Sequence, residues 1–564
     1  MKKKSLLILF LAMTLVFTGC SKKKDAADEP AAEAAAEETA TADTAEGAEA
    51  ETAAEEAAEP EPEPVKPVNN IRAFVRTEQK TFTKGYSPYY EYIYGTVHLA
   101  DEYEGKYPEL AKSFVELGKY LEDKVNANME ENLPTAAEWY EENKDDNGFV
   151  YAYYSDEHDL SIVRADSCVV SVKNDYTGYS GGAHGWYGVE GYNYDTETGK
   201  KLEIEDVFSS REELIDTLYT ELLDHYQKEY FYNYNELKED IEESIGYTGL
   251  KYTIGYTGIN VHFDPYDIAP YASGSFDISL PFNKYGGTLI NAQYANTPDS
   301  FIIKVPEAEE IFYDLNADGT DETILIETIQ GDTEEGYYDI DQVKVTVGDK
   351  KAYADAYCFY MNFYFVKDVD KYFIYSFCTA ENDYTYVMAF DITSGEPVYL
   401  EQPEDMTEST SLAAALVGGD YDNDDYYAST YDEYCFTDPT LMLLSSHTDV
   451  MSTVSGSCYY AVGESGYPEK LDKDAWYYLQ TDYFVFTAKQ DVVGTEVTED
   501  GATVGEYVIA PGTECIYYRT DGKNLADLKI GDTIVRLEID SSEWPTCVNG
   551  IDLEEAFDGI LWAG

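Results

Sequence analysis

After about residue 300 the chain has almost no helical spacing and instead repeats short runs of aromatic and β-branched residues. Such residues favour strands because their side chains pack well on a pleated sheet. Tyrosine, at 55 of 564 residues, adds to this preference, since its ring buries apolar area while its hydroxyl stays polar. The predicted strands include 323–328, 342–347, 372–378, 384–390 and 483–488. We therefore expect a β-rich C-terminal half, divided into domains over 300–480 and 481–564.

The first half of the chain carries helix signals as well as strand runs. Pro108 opens one helical pattern, and a second starts at Ser209 or Ser210, followed by two glutamates in the arrangement of a capping box. The apolar positions of these two helices are Leu110, Phe114, Leu117, Leu121 and Val125, then Leu214, Leu218 and Leu222. Strand runs are predicted at 89–99, 160–172, 251–263 and 275–282. We expect a multidomain chain with an α+β module at 70–290, in subdomains of about 70–150 and 151–290.

The N-terminus has the order of a bacterial lipoprotein signal. A lysine cluster precedes the apolar run 6–17, and small residues then precede Cys20. This pattern predicts a signal peptide over 1–19 and a lipid on Cys20, which would hold the protein on the outer face of the bacterial cell membrane. The alternative is an ordinary cleaved signal with a chance cysteine. Residues 20–69 are mostly Ala, Glu, Thr and Pro, which predicts a disordered acidic tether.

The charge of the chain limits its partners. Lysine and arginine number 38 against 111 acidic residues, a net charge of −73 at pH 7. Bulk attraction to nucleic acid is excluded by this charge, whereas cations and basic proteins are favoured. The same acidity is also explained by solubility alone. We expect no nucleic-acid partner.

The most specific internal motif leads from one strand through a glycine loop to His184. Gly181 and Gly182 allow positive φ, which predicts a tight loop between two strands. An aromatic strand, a Thr-Gly-Lys turn and an acidic stretch follow. The motif segments are Tyr179–His184, Tyr192–Asp195, Thr198–Lys200, Glu205–Phe208 and Val261–Gly274. In this order they resemble the family of extracytoplasmic domains shared by the anti-sigma factor RsiV and the peptidoglycan deacetylase PdaC.

The resemblance implies a binding module. We find neither the anti-sigma segment of one relative, so we expect no signalling to a sigma factor, nor the deacetylase domain of the other, so we expect no enzyme. RsiV is a lysozyme receptor, so the resemblance implies a basic protein such as lysozyme, or peptidoglycan, as the ligand. An acidic module would also attract a basic lysozyme electrostatically. The residues at which we expect ligand contact are Gly181, Gly182, His184, Trp186 and Tyr187.

Two of these residues have a second interpretation. His184 is either a metal ligand or general base, or a histidine whose ring nitrogens satisfy backbone groups at the loop. Trp186 is either an exposed anchor for a ligand or a ring that packs inward. The sequence leaves both alternatives open.

A second motif, at 314–322, has oxygen-bearing side chains at alternate positions followed by a glycine. A loop with this spacing can surround a hard cation with oxygen atoms, and the string resembles the calcium loops of propeller-type β repeats. Leu325 stands where an EF-hand has its bidentate glutamate, and strands rather than helices are predicted on both sides. We expect Ca²⁺ on Asp314, Asn316, Asp318, Thr320 and Glu322; the alternative is an acidic hairpin turn.

Three classes of function fit these observations. The first is a cell-surface lipoprotein that binds a macromolecule through residues 70–290 without catalysis. The second is an extracellular enzyme of cell-wall or glycan processing whose carboxylates the sequence does not identify. The third is a structural envelope protein.

Overall fold

The computed structural model describes most of the chain after residue 66, in the ranges 67–85, 87–144, 153–330, 340–380, 384–403, 410–421, 423–472, 474–479 and 484–562. The predicted signal peptide, Cys20 and the tether up to residue 66 lie outside these ranges. Within them, the predicted order of an α+β module and a β-rich half is confirmed.

In its described residues the N-terminal module has eight strands and seven α-helices. The strands are β1 (Ala73–Lys84), β2 (Ser87–Leu99), β3 (Tyr154–Ala165), β4 (Val169–Tyr179), β5 (Trp186–Asp195), β6 (Lys251–Ile254), β7 (Gly258–Phe263) and β8 (Phe276–Pro281). The helices are α1 (Asp101–Glu104), α2 (Pro108–Asn143), α3 (Ile204–Val207), α4 (Arg211–His225), α5 (Leu237–Thr248), α6 (Phe282–Tyr285) and α7 (Ala292–Ala295). Short 3₁₀ turns occupy Lys228–Tyr230 and Tyr271–Ser273.

Helix α2 begins at Pro108, as predicted, and its five predicted apolar positions are all buried. It continues through Pro134 to Asn143, past the apolar spacing visible in the sequence. The last turns are held by packing, since Ala136 is buried against Tyr90 and Tyr154 of the sheet. No helix in the described ranges has the length and apolar character needed to cross a bilayer.

Helix α4 also begins where the sequence predicts. The Ser210 side chain accepts a hydrogen bond of 3.2 Å from the backbone N–H of Glu213, which caps one of the free amides of the first turn. The predicted positions Leu214, Leu218 and Leu222 are fully buried. They pack against the sheet β6-β7-β8 in the core of the second subdomain.

Two predicted strands are each divided by a turn. The run 160–172 breaks after Ala165, where a carboxylate oxygen of the buried Asp166 accepts hydrogen bonds from the N–H groups of Cys168 (2.8 Å) and Val169 (3.0 Å). The run 251–263 becomes the hairpin β6–β7. The prediction missed both turns by following the strand-favouring residues, although Asp166-Ser167 in the first run and Gly255 with Gly258 in the second are residues typical of turns.

The main sheet of the module includes strands from far along the chain. Its order is β19-β20-β1-β2-β3-β4-β5, with β19 at Ala414–Asp420 and β20 at Tyr426–Tyr434. Strand β1 therefore lies between β2 and β20 and pairs with β20 from Phe74↔Tyr434 to Phe82↔Tyr426. Arg76 donates to both carboxylate oxygens of Asp432 at 2.7 and 2.8 Å. A hairpin from the region predicted as 300–480 thus completes the N-terminal sheet.

Where the structure describes the β-rich half, it consists of the remaining strands and one short helix, α8 (Leu553–Ala556). Its first strands are β9 (Ser300–Val305), β10 (Glu310–Tyr313), β11 (Glu322–Gln330), β12 (Ile340–Val347), β13 (Lys350–Cys358), β14 (Tyr360–Asp368), β15 (Lys371–Thr379), β16 (Thr385–Asp391), β17 (Val398–Tyr399) and β18 (Thr410–Leu412). After β19 and β20 come β21 (Met442–Thr448), β22 (Val454–Val462), β23 (Pro468–Lys470), β24 (Tyr477–Tyr478), β25 (Val485–Ala488), β26 (Val492–Val497), β27 (Thr503–Ile509), β28 (Glu514–Thr520), β29 (Leu525–Ile530), β30 (Thr533–Asp540), β31 (Cys547–Val548), β32 (Ile551–Asp552) and β33 (Phe557–Asp558).

The sheet β17-β16-β15-β14-β9 is the central layer of this half. Ile374 and Phe390 on one face pack with residues of the sheet β10-β11-β12-β13, such as Val345. On the other face Tyr375 shares a core with Leu444 of β21. Because both faces of the sheet are covered, the sequences of its strands are nearly continuous apolar runs. Residues from about 450 onward form a further β core.

Candidate functional site

The face of the main sheet covered by α2 changes character along the helix. At the start of the helix, Phe114 packs edge-on against Tyr194 in an apolar core. At the end, Trp139 packs against Tyr154 among other aromatic rings. Between these two apolar regions lies a polar cluster, which we define as Asn128 of α2 with Asp156, His158, Asn174 and Glu190 of the sheet. Strand alternation places the four sheet residues on one face, because Asp156 and His158 are two apart and Asn174 pairs directly with Glu190.

Hydrogen bonds join most of the polar cluster. The Asn128 amide donates to Asp156 Oδ2 at 2.8 Å, and the Asn174 amide donates to Glu190 Oε2 at 3.0 Å. The Asn174 nitrogen also lies 3.0 Å from His158 Nδ1. Since an amide N–H is a donor only, this contact makes Nδ1 the acceptor and places the ring proton of a neutral imidazole on Nε2.

Several atoms of this region have no partner. In the part of the chain that the structure describes, eleven buried side-chain atoms lack a hydrogen bond, and four of them gather here: Tyr90 Oη, Asp156 Oδ1, His158 Nε2 and Asn174 Oδ1. His158 Nε2 is 3.7 Å from Asp156 Oδ1, too far for a hydrogen bond. Buried polar atoms are usually paired with protein groups or with ordered water, so these four atoms have hydrogen-bonding capacity left for water or another polar molecule.

Burial sets the protonation of the cluster. It raises the pKa of Asp156, against the opposing effects of the Asn128 hydrogen bond and the Lys124 charge. Burial, together with the nearby Lys124 ammonium, lowers the pKa of His158 to about 4. Glu190 differs: burial raises its pKa, but the Tyr192 hydroxyl, Lys124 and Asn174 leave it lowered overall. At neutral pH the cluster therefore holds an uncharged imidazole beside carboxyl groups of unequal acidity.

The polar cluster opens to solvent through a groove of about 300 Å³ between α2 and the sheet. Its lining residues are Tyr90, Asn128, Glu131, Asn132, Ser155, Asp156, Tyr179, Ser180 and Trp186. Tyr90 and Asp156 form its deep end, with exposed fractions of 1% and 2%. The groove is thus lined at its deep end by two residues, Tyr90 and Asp156, that each carry an unpartnered buried atom.

The glycine loop predicted from the sequence lies at one end of this groove. Gly181 and Gly182 have φ of 91° and 97°, the positive values that the motif predicts. The Tyr179 hydroxyl donates to the carbonyl of Gly182 at 3.0 Å and holds the loop against β4. The loop is therefore built by the residues that the sequence singled out.

Trp186 and Tyr187 point to opposite faces of the sheet, because they are neighbours on β5. Trp186 lies over Gly178, where an added Cβ would be only 2.1 Å from a ring carbon, and it lines the groove beside α2. Tyr187 packs edge-on to Tyr271 at 5.7 Å on the other face. The predicted contact residues thus belong to two separate surfaces.

His184 belongs to the second surface. Its ring stacks on Tyr271 with centroids 4.1 Å apart, and Tyr271 also lies 5.7 Å from Tyr266. His184 Nδ1 is 2.8 Å from the carbonyl of Gly185, so the ring bonds a backbone group as its structural interpretation expects. We call His184, Tyr187, Tyr266 and Tyr271 the aromatic patch.

An ion-pair network supports the loop that carries Tyr266. Lys251 pairs with Asp264 and Asp267 at 2.6 and 2.7 Å, and these acids raise its pKa although burial lowers it. Asp264 also accepts from the Tyr176 hydroxyl at 2.6 Å and from the N–H of Val189 at 2.8 Å. The aromatic patch is therefore fixed to the sheet by charged hydrogen bonds.

The predicted calcium loop connects β10 and β11 in a hairpin. Asp314 accepts from the N–H groups of Asp318 and Gly319 at 3.1 and 2.8 Å, and Glu322 accepts from Leu315 at 2.8 Å. The carboxylates thus fold the turn through its own amides. No group of three or more His, Cys, Asp or Glu side chains suited to a metal ion is found among the described residues. Calcium at this loop stays a prediction.

The sequence analysis did not identify the polar cluster. Asn128 and Asn132 are four residues apart on α2. They follow Val125 at helical spacing, so their amide side chains lie on the side of the helix that faces the sheet. Asp156 and His158 alternate with more exposed residues in β3. The sequence signal for the polar cluster was therefore two pairs of polar residues, Asn128 with Asn132 and Asp156 with His158, at positions whose spacing faces the core. Each pair alone also fits an exposed surface.

Comparison with protein families gives two matches inside the N-terminal module. Residues 100–187 match the family model described as "Deacetylase PdaC", and residues 205–283 match "Protein of unknown function (DUF3298)". Both lie within the predicted 70–290 module and support its PdaC-like character. The more specific likeness to RsiV stays a prediction.

Solved structures of two DUF3298 family proteins align with the chain. One is from Bacteroides fragilis, at 16% identity, covering 40% of this chain and 96% of that one, with a TM-score of 0.29. The other is from Pseudomonas aeruginosa, at 16% identity, covering 42% and 98%, with a TM-score of 0.24. The comparison with curated proteins found no match.

Proposed function

We propose that this protein is an extracytoplasmic binding protein whose aromatic patch contacts a macromolecular ligand without catalysis. The observation that carries the proposal is Tyr266, which is 59% exposed and has φ of 77°. A bulky residue at positive φ costs of order 1–3 kcal/mol, and such residues cluster at functional sites. Exposed aromatic rings held by a rigid framework are common anchors of interfaces.

A basic protein such as lysozyme is the ligand class that the charge supports. With a net charge of −73, the chain attracts a cationic partner over several ångströms beyond contact. Peptidoglycan is the other proposed ligand. The description "Deacetylase PdaC" favours one alternative function, an enzyme that processes the cell wall.

Binding of hen lysozyme to the purified full chain tests the proposal. We expect association to slow at least tenfold between about 20 and 300 mM salt, with a smaller change in dissociation, because screening acts on encounter. Tyr266→Gly removes the ring while permitting the positive φ, and it should weaken binding at least tenfold. Surface plasmon resonance measures both effects.

Tyr247→Ala is the matched control for Tyr266→Gly, since Tyr247 is 90% exposed on α5 outside the aromatic patch. It should leave binding unchanged. Absence of binding at low salt would remove lysozyme as the ligand. Unchanged binding by Tyr266→Gly would remove the aromatic patch as its site.

We also propose that the protein is held at the outer face of the cell membrane by a lipid on Cys20. A single thiol would carry the anchor, so Cys20→Ser should release the protein from the membrane fraction into the medium or periplasm. Fractionation and immunoblotting measure this change. Full retention of the variant in the membrane fraction contradicts the lipid assignment.

A further inference from the structure

We propose that the groove between α2 and the sheet is a saccharide-binding site, which takes one neutral sugar unit against Trp186, Tyr90 and Asp156. This inference goes beyond the proposed function, because it concerns the groove beside α2, where Trp186 lies, and not the aromatic patch, where Tyr187 points to the opposite face of β5. The two sites share none of their residues.

The first argument comes from the two unpartnered atoms at the deep end of the groove. Tyr90 Oη carries a proton that needs an acceptor, and Asp156 Oδ1 is an acceptor that needs a donor. Both side chains are more than nine-tenths buried. A ligand hydroxyl both donates and accepts, so a sugar hydroxyl at the deep end of the groove can accept from Tyr90 Oη or donate to Asp156 Oδ1.

The second argument is the chemistry of the walls. Besides Tyr90, the groove presents the amides of Asn128 and Asn132 and the hydroxyls of Ser155 and Ser180. These neutral groups outnumber the two acids of the lining, Asp156 and Glu131. Mixed donors and acceptors at fixed positions suit a ligand with several hydroxyls.

The third argument is the aromatic wall. The Trp186 ring is half-buried and fixed over Gly178, where an added side chain would collide with it. Tyr179 also lines the groove, and its hydroxyl is bonded to the loop carbonyl of Gly182. A rigid ring beside polar groups matches a sugar, whose C–H face is apolar while its edge carries hydroxyls.

Charge and size favour a neutral sugar over an anion or a basic side chain. The carboxyl groups of Asp156 and Glu131 disfavour an anion, and the nearby Lys124 is engaged by Glu190 at 3.5 Å. A lysine or arginine side chain offers donors only, so it leaves Tyr90 Oη without an acceptor. A volume of about 300 Å³ is at the lower end of ligand pockets and fits one ring of an oligosaccharide.

The test uses the purified full chain with two neutral probes, the N-acetylglucosamine trimer and cellotriose. Calorimetry and saturation-transfer NMR should detect binding of at least one trisaccharide, with a Kd below about 10 mM. Trp186→Ala, which removes the aromatic wall, and Tyr90→Phe, which removes one oxygen atom, should each weaken that binding at least fivefold. Trp544→Ala is the matched control, because Trp544 is 71% exposed in the C-terminal region.

Each result decides the proposal. Weakening by Tyr90→Phe at an unchanged melting temperature supports it, since that variant keeps the ring and its packing. The proposal is overturned if neither probe binds, or if Tyr90→Phe and Trp186→Ala both bind the probe as tightly as the unsubstituted protein. Water is then the occupant of the groove. Binding of arginine methyl ester in place of both sugars also overturns it. Lysozyme binding by the same variants should be unchanged, so failure of this site is distinguishable from failure of the aromatic patch.

Discussion

A fragment of residues 67–296 should fail to fold stably when separated from the rest of the chain. It lacks β20, which forms nine residue pairs with β1, and it lacks the carboxylate of Asp432 that binds Arg76. With roughly one backbone hydrogen bond for each pair, at about 0.5–1.5 kcal/mol each, the loss of this pairing removes roughly 5–13 kcal/mol of stability. The free energy of unfolding of a whole domain is only about 5–15 kcal/mol. Circular dichroism melting and light scattering should show a broad transition and self-association through the free β1 edge.

The matched control is the same fragment with residues 414–434 fused through a flexible Gly/Ser linker. Restoring the hairpin should restore a cooperative transition and a monomer. If the unfused fragment is monomeric and melts as sharply as the fused one, the pairing of β1 with β20 contributes little to stability. Ligand-binding measurements therefore require the full chain, which contains β20.

Arg164→Met should destabilise the N-terminal module by about 3–5 kcal/mol, the range for breaking a buried ion pair. Arg164 is fully buried and pairs with the equally buried Asp166 at 2.6 Å. Its guanidinium also donates to the carbonyls of Gly255, Tyr294 and Asn296 at 3.1, 2.7 and 2.8 Å. Methionine fills the space but leaves a carboxylate and three carbonyls without this donor.

The midpoint of the first unfolding transition in urea measures this effect, with the m-value as a check on two-state behaviour. Arg211→Met is the matched control, because Arg211 is exposed at the start of α4. Its substitution should change stability by less than about 0.5 kcal/mol. Similar midpoints for the two variants would show that the buried arginine adds no net stability.

Local patterns predicted much of the N-terminal module. The start of α2 at Pro108 and the cap of α4 at Ser210 depend on residues a few positions apart, and both are confirmed. The β-rich character after residue 300 also follows from residue types that favour strands. The glycine loop was predictable because positive φ at Gly181 and Gly182 needs no tertiary information.

The features that the sequence did not predict depend on distant partners. Nothing local to β1 indicates that its second neighbour is β20, since strand pairing is set by the assembled fold. The groove depends on α2 carrying Asn128 over Asp156, two residues that each read as ordinary surface positions. A buried polar site becomes visible only when the helix and the sheet are placed together.

The position of β20 also sets the order in which the protein matures. Asp432 lies 356 residues after its partner Arg76, so ribosomes making about 5–20 residues each second need about 20–70 s to supply it. Until then β1 has one satisfied edge and one open edge. The main sheet of the N-terminal module therefore cannot be completed while only the module itself has been synthesised, and β1 keeps an open edge until the late hairpin is available.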